Sequence, residues 1–166
     1  MFYKFRLLLF LYFLNFTIIS YGSEDDILQE YLSMDGVTQL TQIQAKEIIE
    51  KIDWEKAEKI SLTFEDNAYF PETLTLDIGK PYRLKLVNKG NRSHDLAGEK
   101  FLSSIIIKKI DSADYKIKAY HVESIYLRPK KEIDVWLVPV KKGEFYSVCT
   151  LPGHLDDGME GVVIIQ

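Results

Sequence analysis

Cysteine is almost absent from this chain, and Cys149 is the only one among 166 residues. One cysteine cannot form an internal disulfide, which excludes a domain stabilised by such bridges. Histidine and methionine are also scarce, with three of each, so a site built from many imidazoles is excluded. Positive charge is in deficit as well, because the formal net charge is −4. This balance does not favour binding to nucleic acid or to anionic lipid.

The first 22 residues have the layout of a secretory signal peptide. Lys4 and Arg6 precede an apolar run from Leu7 to Ile19, and the small residues Ser20 and Gly22 follow it. This order predicts cleavage after Gly22 and a periplasmic or secreted protein. The alternative is an uncleaved membrane anchor. After cleavage no stable membrane association is expected, because no later stretch is apolar enough to span a bilayer.

Acidic residues are concentrated after the predicted cleavage point. Residues 23–58 carry ten acidic and three basic side chains, whereas residues 59–166 have a net charge of about +1. The acidic segment is predicted to be helical, because Thr41 and Gln44 resemble a capping box. One apolar face is formed by Ala45, Ile48, Ile49 and Ile52. We expect this helix to pack on the single folded domain over 59–166 rather than serve as a partner-binding arm.

The lone cysteine lies in the stretch CTLPGHLDDGM, residues 149–159. His154 follows Cys149 after four intervening residues, and Met159 follows His154 after four more. Coincidence is a poor explanation for residue types as rare as these. A thiolate, an imidazole and a thioether suit copper cycling between Cu(I) and Cu(II) better than zinc, calcium or magnesium. A buried and inert thiol is the alternative interpretation.

A copper site of this kind needs a second imidazole, because its trigonal plane combines one cysteine sulfur with two histidine nitrogens. Only His94 and His121 remain to supply it. His94 lies in a polar loop after the predicted strand Tyr82–Val87, where a strand end can converge with residues 149–159. His121 lies within or beside another predicted strand. These positions favour His94 and leave His121 open.

Short apolar or alternating segments, separated by turn residues, predict β-structure over most of residues 59–166. The predicted strands are Ile60–Phe64, Leu74–Ile78, Tyr82–Val87, Tyr115–Ala119, Ser124–Leu127, Ile133–Val140, Glu144–Cys149 and Gly161–Gln166. Seven to eight short strands at this spacing indicate an all-β fold, an antiparallel Greek-key β-sandwich. The stretch GEKFLSSIIIKKI after His94 is expected to be a short helix or a wrapping loop.

The chain resembles the cupredoxins, a family of small blue copper proteins, over about residues 59–166. The last third, KKGEFYSVCTLPGHLDDGMEGVVIIQ, looks like a closing strand, ligand loop and final strand of that family. Its C-x4-H-x4-M spacing is similar to that of rusticyanin. The stretch FPETLTLDIGKPYRLKLVN, which His94 follows, looks like the opening half of such a domain.

The resemblance implies one type 1 copper ion, with His94, Cys149 and His154 in the plane and Met159 in the axial position. It implies a monomeric electron carrier rather than an enzyme. The expected redox partners are proteins such as a c-type cytochrome or a terminal oxidase or reductase. A dinuclear copper centre would need a second cysteine, which the chain lacks.

Two other functions stay open alongside electron transfer. The same ligands could hold copper for trafficking or storage, although such sites tend to be rich in methionine or histidine and open to solvent. The domain could also be an interaction module without metal. One feature of the sequence bears on electron transfer. The acidic residues Asp156, Asp157 and Glu160 come directly after the apolar residues that flank His154 in the sequence. We therefore expect an acidic rim that steers a basic partner.

Overall fold

The computed structural model describes residues 42–113 and 116–166. Within these ranges α1 spans Gln42–Lys51, a 3-10 turn spans Trp54–Lys56, and α2 spans Glu99–Leu102. The same ranges hold eleven strands: β1 Glu58–Glu65, β2 Ala68–Phe70, β3 Thr73–Leu76, β4 Tyr82–Asn88, β5 His94–Ala97, β6 Ile105–Asp111, β7 Lys116–Ile117, β8 Ser124–Leu127, β9 Glu132–Pro139, β10 Gly143–Val148 and β11 Glu160–Ile165. No helix in this part of the chain is long and apolar enough to cross a membrane.

The strands form two sheets that enclose one large apolar core. The first sheet has the order β2-β1-β4-β9-β6-β7, and the second has the order β3-β11-β10-β5-β8. The predicted all-β sandwich is confirmed. The sheets are mixed rather than purely antiparallel, because β1 pairs in parallel with β4 and β3 in parallel with β11. Between β1 and β4 the chain passes through β2 of the first sheet and then through β3 of the second sheet. When it returns to the first sheet as β4, it runs in the same direction as β1.

Alternating side chains place the core between the sheets, as a period of two requires. In β4 the even-numbered residues Tyr82, Leu84 and Leu86 are buried, whereas Arg83 and Lys85 between them are half-buried on the other face. Leu84 lies opposite Ile60 of β1 and Val135 of β9, so the pattern continues across neighbouring strands.

The strand predictions are correct for seven of the eight segments and partly correct for Tyr115–Ala119, where only Lys116–Ile117 is described as a strand. The strands β2, β5 and β6 were not predicted. The stretch after His94 contains the expected short helix but continues as strand β6, paired with β9. A short apolar run such as Ile105–Ile107 has no periodicity that separates a buried helix from a buried strand.

Helix α1 packs on the sandwich, as its apolar face predicts. Ala45 and Ile48 are buried against Ile106 and Val138, and Ile49 and Ile52 are half-buried beside them. The Trp54 ring follows this helix and meets the Trp136 ring edge to face, with the ring centroids 6.4 Å apart. The predicted capping residue Thr41 and the predicted signal segment 1–22 lie outside the described residues, so both stay predictions.

Candidate metal centre

The sequence-predicted site residues are all withdrawn from solvent at one end of the sandwich. The exposed fractions of His94, Cys149 and Met159 are 0%, and that of His154 is 6%. A cysteine thiol and three further polarisable or polar groups in one buried place are unusual, because buried polar groups normally find hydrogen-bonding partners.

Three of these side chains bring their donor atoms together. The Sγ of Cys149 is 3.2 Å from the Nδ1 of His154 and 3.9 Å from the Nδ1 of His94. The two Nδ1 atoms are 3.1 Å apart. One donor atom from each residue thus lies within 4.8 Å of the other two, and all three residues are buried.

The loop between β10 and β11 is folded by its own backbone. The N–H of His154 donates to the carbonyl of Leu151, and the N–H of Met159 donates to the carbonyl of His154, at 3.1 and 2.9 Å. The N–H of Cys149 donates to the carbonyl of Met159 at 3.1 Å, which closes the loop at its base. These contacts hold the methionine backbone beside both other loop residues.

The two glycines of this loop are needed for their backbone conformation. Gly153 and Gly158 have φ angles of +82° and +89°, in the left-handed region that favours glycine. A Cβ atom added at either position would meet no atom within 4 Å. These glycines therefore let the loop turn through their backbone freedom, and not because a side chain would lack space.

His94 reaches the cluster from the first residue of β5 and not from a loop, which corrects the sequence-based expectation. It lies opposite Leu127 of β8, and this antiparallel pairing continues through Ala97. The Phe64 ring lies edge to face with the imidazole, at 6.5 Å between centroids. The strand was not predicted because HDLA is too short to show a period.

The second nitrogen of His94 faces the turn between β1 and β2. Its Nε2 is 3.7 Å from a carboxylate oxygen of Asp66, which is too long for a hydrogen bond, and it has no hydrogen-bonding partner among the described residues. Gly90 lies between them, and a Cβ atom there would be 2.4 Å from Asp66 Oδ1 and 3.2 Å from His94 Nε2. The imidazole is thus located by close packing as well as by β-pairing.

The loop before His94 is organised by two polar side chains that sequence reasoning missed. Asn88 is buried; its Nδ2 donates to the carbonyls of Arg92 and Leu127, and its Oδ1 accepts from the N–H of Gly90. Asp66 accepts from the backbone N–H groups of Asn91 and Arg92. An Asn before a Lys-Gly pair is the one sequence signal that could have indicated such a turn.

Arg92 joins this loop to the ligand loop. Its guanidinium donates to the backbone carbonyl of Asp66 at 2.6 Å and lies 3.3 Å from a carboxylate oxygen of Asp157. Asp157 therefore has a cationic partner, which reduces its contribution to the acidic rim that the sequence predicts. The pair is partly exposed, so its contribution to stability is small.

Asp95 connects the strand of His94 to the residue after Cys149. Its two carboxylate oxygens accept from the N–H of Thr150 at 2.7 Å and from the Oγ1 of Thr150 at 2.6 Å. The backbone carbonyl of Asp95 accepts from the Tyr69 hydroxyl at 2.6 Å. Nothing in the sequence relates Thr150 to Asp95, since they are 55 positions apart.

Burial disfavours the charged forms of His94 and Cys149. It lowers the pKa of His94, and the neighbouring His154 lowers it further, while Asp66 opposes this. Burial also raises the pKa of the Cys149 thiol, against hydrogen bonds from the backbone of Asp95 and Leu151. A neutral imidazole is a ready ligand, whereas the thiol needs a bound cation to become a thiolate.

The donor set fits a soft or borderline metal ion. Two imidazole nitrogens and one sulfur converge in a dry site, and a cation at their centre would give each of them a partner. The Met159 side chain lies buried in the same core and supplies a thioether. His121 lies outside this cluster; it is half-buried, and its ring nitrogens contact no hydrogen-bonding partner in the described ranges.

A family model for the Cupredoxin-like domain matches residues 38–165 of the chain. The match includes α1, which had been predicted to lie in a segment separate from the domain. No curated protein matches the chain.

Several solved structures resemble the fold at low sequence identity. A multicopper oxidase from Campylobacter jejuni has a TM-score of 0.51 and 15% identity over 69% of this chain and 31% of its own. Copper nitrite reductase from Nitrosomonas europaea has a TM-score of 0.50 and 11% identity, over 69% of this chain and 50% of its own. Auracyanin from Roseiflexus castenholzii has a TM-score of 0.45 and 16% identity, over 66% and 98%. The chain spans about a third of the first of these proteins, and the likeness concerns the fold.

Proposed function

The chain belongs to the cupredoxin-like family, and from this premise we propose that it is an exported blue copper protein that carries single electrons. Copper fits the family and the His-Cys-His cluster alike. His94, Cys149, His154 and Met159 are the residues that would hold the ion, in a type 1 site. The bound ion would supply the Cu(I)/Cu(II) couple, and the residues would fix its surroundings.

The observation that carries this proposal is the convergence of the cysteine sulfur and two histidine Nδ1 atoms in a buried site. A site held by two sheets and a closed loop resists rearrangement, which favours fast electron exchange between oxidation states that prefer different geometries. No substrate cavity is required. His121 is the one histidine left after the site is built, which is too few for an additional catalytic copper cluster, so we propose a carrier and not an enzyme.

Copper trafficking or storage is the second candidate. Transfer of an ion between proteins needs ligands that a partner can reach, and three of the four proposed ligands have an exposed fraction of 0%. The most exposed of them, His154, lies beside Leu155, which is 50% exposed. This arrangement favours the passage of electrons through an imidazole edge over the passage of the ion itself.

A spectroscopic titration tests the proposal. The full-length chain, expressed for export and purified, should take up one Cu(II) and show an intense thiolate-to-copper band that reduction removes. Electron paramagnetic resonance of the oxidised protein should show one mononuclear type 1 centre. A correctly folded protein that stays colourless with excess Cu(II) would contradict the site. Tight Cu(I) binding without a stable Cu(II) form would favour trafficking instead.

Membership of the cupredoxin-like family also supports proposals about the location of the protein and about its redox partners. Cleavage after Gly22 in the export pathway would place the carrier in the periplasm or outside the cell, as a monomer that docks transiently with a cytochrome, oxidase or reductase. N-terminal sequencing of the purified protein tests the cleavage. The finer likeness of the ligand loop to rusticyanin stays a prediction.

A further inference from the structure

Both tryptophans of the chain meet on the outer face of the first sheet. Trp136 lies on the outer side of β9, two residues before Val138, which Ala45 and Ile48 of α1 cover. Trp54 follows α1, and its ring meets the Trp136 ring edge to face at 6.4 Å between centroids. Both residues are half-buried. The helix thus covers one end of this face, and the tryptophan pair lies at the border of the covered part.

A β-bulge brings two consecutive lysines to the tryptophan rings. The register of β6 against β9 shifts between Ile107 and Lys109, and the extra residue of a bulge lets neighbouring side chains share one face. The Nζ of Lys108 is 4.7 Å from the centroid of the Trp54 ring, and the Nζ of Lys109 is 4.7 Å from that of the Trp136 ring. Burial and the neighbouring Lys109 lower the pKa of Lys108. Two like charges in adjacent half-buried positions favour a nearby anion.

The charges on this face do not balance. Five cations and three acids of β1, β4, β6 and β9 lie there: Lys59, Arg83, Lys85, Lys108, Lys109, Asp111, Glu132 and Asp134. Together with Trp54 and Trp136 they form what we call the tryptophan face. Each acid is paired with a cation, in the pairs Arg83–Asp134, Lys85–Glu132 and Lys109–Asp111. In the described part of the chain, Lys59 and Lys108 have no acidic side chain within ion-pair distance.

The tryptophan face also has room for an occupant. A surface hollow of about 370 Å³ adjoins the paired strands β1 and β4, and Lys59, Arg83 and Lys85 are among the residues that line it. Lys59 is exposed, whereas Arg83 and Lys85 are half-buried. The face can therefore accept further anionic groups.

A strongly acidic stretch precedes α1 in the sequence. Residues 23–41 carry five acidic side chains and no basic one, and they lie outside the described residues. The acids are Glu24, Asp25, Asp26, Glu30 and Asp35. This stretch ends where α1 begins, and α1 packs on the same face of the sheet. A chain of this length reaches up to about 60 Å, whereas four paired strands are about 15 Å across.

We propose that residues 23–41 are the occupant of the tryptophan face, with their carboxylates beside Lys59 and Lys108. The opposite charges, the direct connection to α1 and the continuity with the surface that α1 covers favour this occupant over a separate partner. The short tether gives a local concentration on the order of millimolar. Half-buried cations gain more from an anion than fully exposed cations do, because solvent screens them less. The inference goes beyond the proposed copper function and does not depend on it.

Tryptophan fluorescence tests the proposal, because both tryptophans lie on this face. The probe is quenching by iodide, measured on the full-length chain expressed for export and purified without added copper. The variant replaces the five acids of residues 23–41 by the corresponding amides. Loss of the acidic cover should open the lysines to this anion, so the iodide quenching constant should rise at least about twofold at low salt. High salt should remove the rise, and quenching by neutral acrylamide should change less.

The matched control removes the same charge elsewhere in the chain. Five exposed acids outside the ion pairs of the described residues are replaced by amides: Glu72, Glu99, Glu123, Glu144 and Asp156. The iodide quenching constant of this control should stay near the wild-type value. An equal rise in both variants would overturn the inference, since net charge alone would then attract iodide. An unchanged constant in the variant of residues 23–41 would overturn it as well.

Crosslinking with a carbodiimide gives an independent measurement on the wild-type chain. Amide bonds should form within one molecule between the acids of residues 23–41 and Lys59 or Lys108, and salt should suppress them. Lys100 is the comparison, because it is exposed on α2, which packs beside β10 of the second sheet. Lys59→Gln with Lys108→Gln should abolish the difference in quenching. Equal yields at Lys100, or crosslinks only between molecules, would overturn the inference, and the second result would assign the face to another copy of the chain.

Discussion

The ligand loop and the strand that carries His94 supply the same site in two different ways. Residues 149–159 contribute three of the four proposed ligands from eleven consecutive positions, and the backbone hydrogen bonds that shape them join residues of that same loop. His94 is 55 positions away from Cys149. Its location depends on β8 and on the β1–β2 turn, and thus on much of the sandwich.

One half of the site is therefore local, and the other half depends on the whole fold. The loop can be recognised from spacing, because its geometry follows from a short stretch of chain. The sequence favours His94 over His121, but the position of its imidazole depends on the sheet that places β5 beside β10, where Ala97 pairs with Val148. Variants on each side should therefore fail in different ways.

Removal of the thiol deletes a ligand from the local half of the site and has the largest expected effect on the copper spectrum. Cys149→Ser should abolish the thiolate-to-copper band, because serine has no soft anionic donor. His94→Ala should bleach the protein as well, whereas His121→Ala should leave it blue. Visible spectra after addition of Cu(II) measure all three. If His121→Ala bleached the protein and His94→Ala did not, the second imidazole would have been assigned to the wrong residue.

Gly90→Ala tests the distant half without replacing a ligand. Its Cβ would lie 2.4 Å from Asp66 Oδ1 and 3.2 Å from His94 Nε2, so the Asp66 carboxylate must move and the imidazole must give by a few tenths of an ångström. Loss of such supporting geometry costs about 10- to 100-fold in metal affinity. Gly153→Ala is the matched variant in the loop: it costs about 1 kcal/mol of stability through its positive φ, and no atom obstructs it. Competition titrations with a copper chelator measure the copper affinity of both variants. Equal losses of affinity in Gly90→Ala and Gly153→Ala would refute the distinction between the two halves of the site.

Without copper, the two halves should respond to pH in opposite directions. The pKa of His94 is lowered by burial, so the unfolded chain binds more protons and stability is lost as pH falls below about 6.5. The pKa of Cys149 is raised by burial, so the unfolded thiol ionises more easily and stability is lost as pH rises above about 9. Denaturant unfolding in the presence of a chelator should be hardest between these limits. His94→Gln should flatten the acid limb and Cys149→Ser the alkaline limb.

Replacement of Met159, the proposed axial donor, allows two ligands of the same loop to be compared. The thioether is expected to be a weak donor that favours Cu(II) over Cu(I), and Met159→Leu removes it. The reduction potential should therefore rise, and the protein should stay blue because the other ligands remain. The volume is conserved, and the cost in stability should stay below about 1.5 kcal/mol. Voltammetry and the visible spectrum measure the two effects. Loss of the blue band in this variant would mean that the thioether is more than a weak axial donor.

Surface charge beside the loop should give the smallest effect. Asp157 is paired with Arg92, so the exposed Asp156 and Glu160 are the better steering charges. Asp156→Lys with Glu160→Lys should slow electron exchange with a basic cytochrome at low salt, leave the copper spectrum nearly unchanged, and lose its effect as salt rises. Stopped-flow rates that are equal for the wild type and the double variant at low ionic strength would show that these carboxylates are only solvated.

Several features could be predicted because they depend on short stretches of chain. The alternation in Tyr82–Val87 predicted a strand with one buried face, and the face of α1 formed by Ala45 and Ile48 predicted its packing. Strand β6 could not be predicted, because the run Ile105–Ile107 is buried whichever structure it adopts. The parallel pairing of β1 with β4 depends on the path of the chain through the other sheet, which no local pattern encodes.

The donor types of the site and the spacing of Cys149, His154 and Met159 can be read from the amino-acid sequence, because residue chemistry and a short loop are properties of the local chain. His94 joins them rather than His121, as the sequence favoured, and the surroundings of the cluster became known from the tertiary structure alone. Residues far apart in sequence meet there. Asp95 accepts a hydrogen bond from Thr150, Arg92 pairs with Asp157, and Gly90 packs between Asp66 and His94. Such contacts arise when the burial of apolar strand faces brings the strands together, and this burial acts over the whole sandwich.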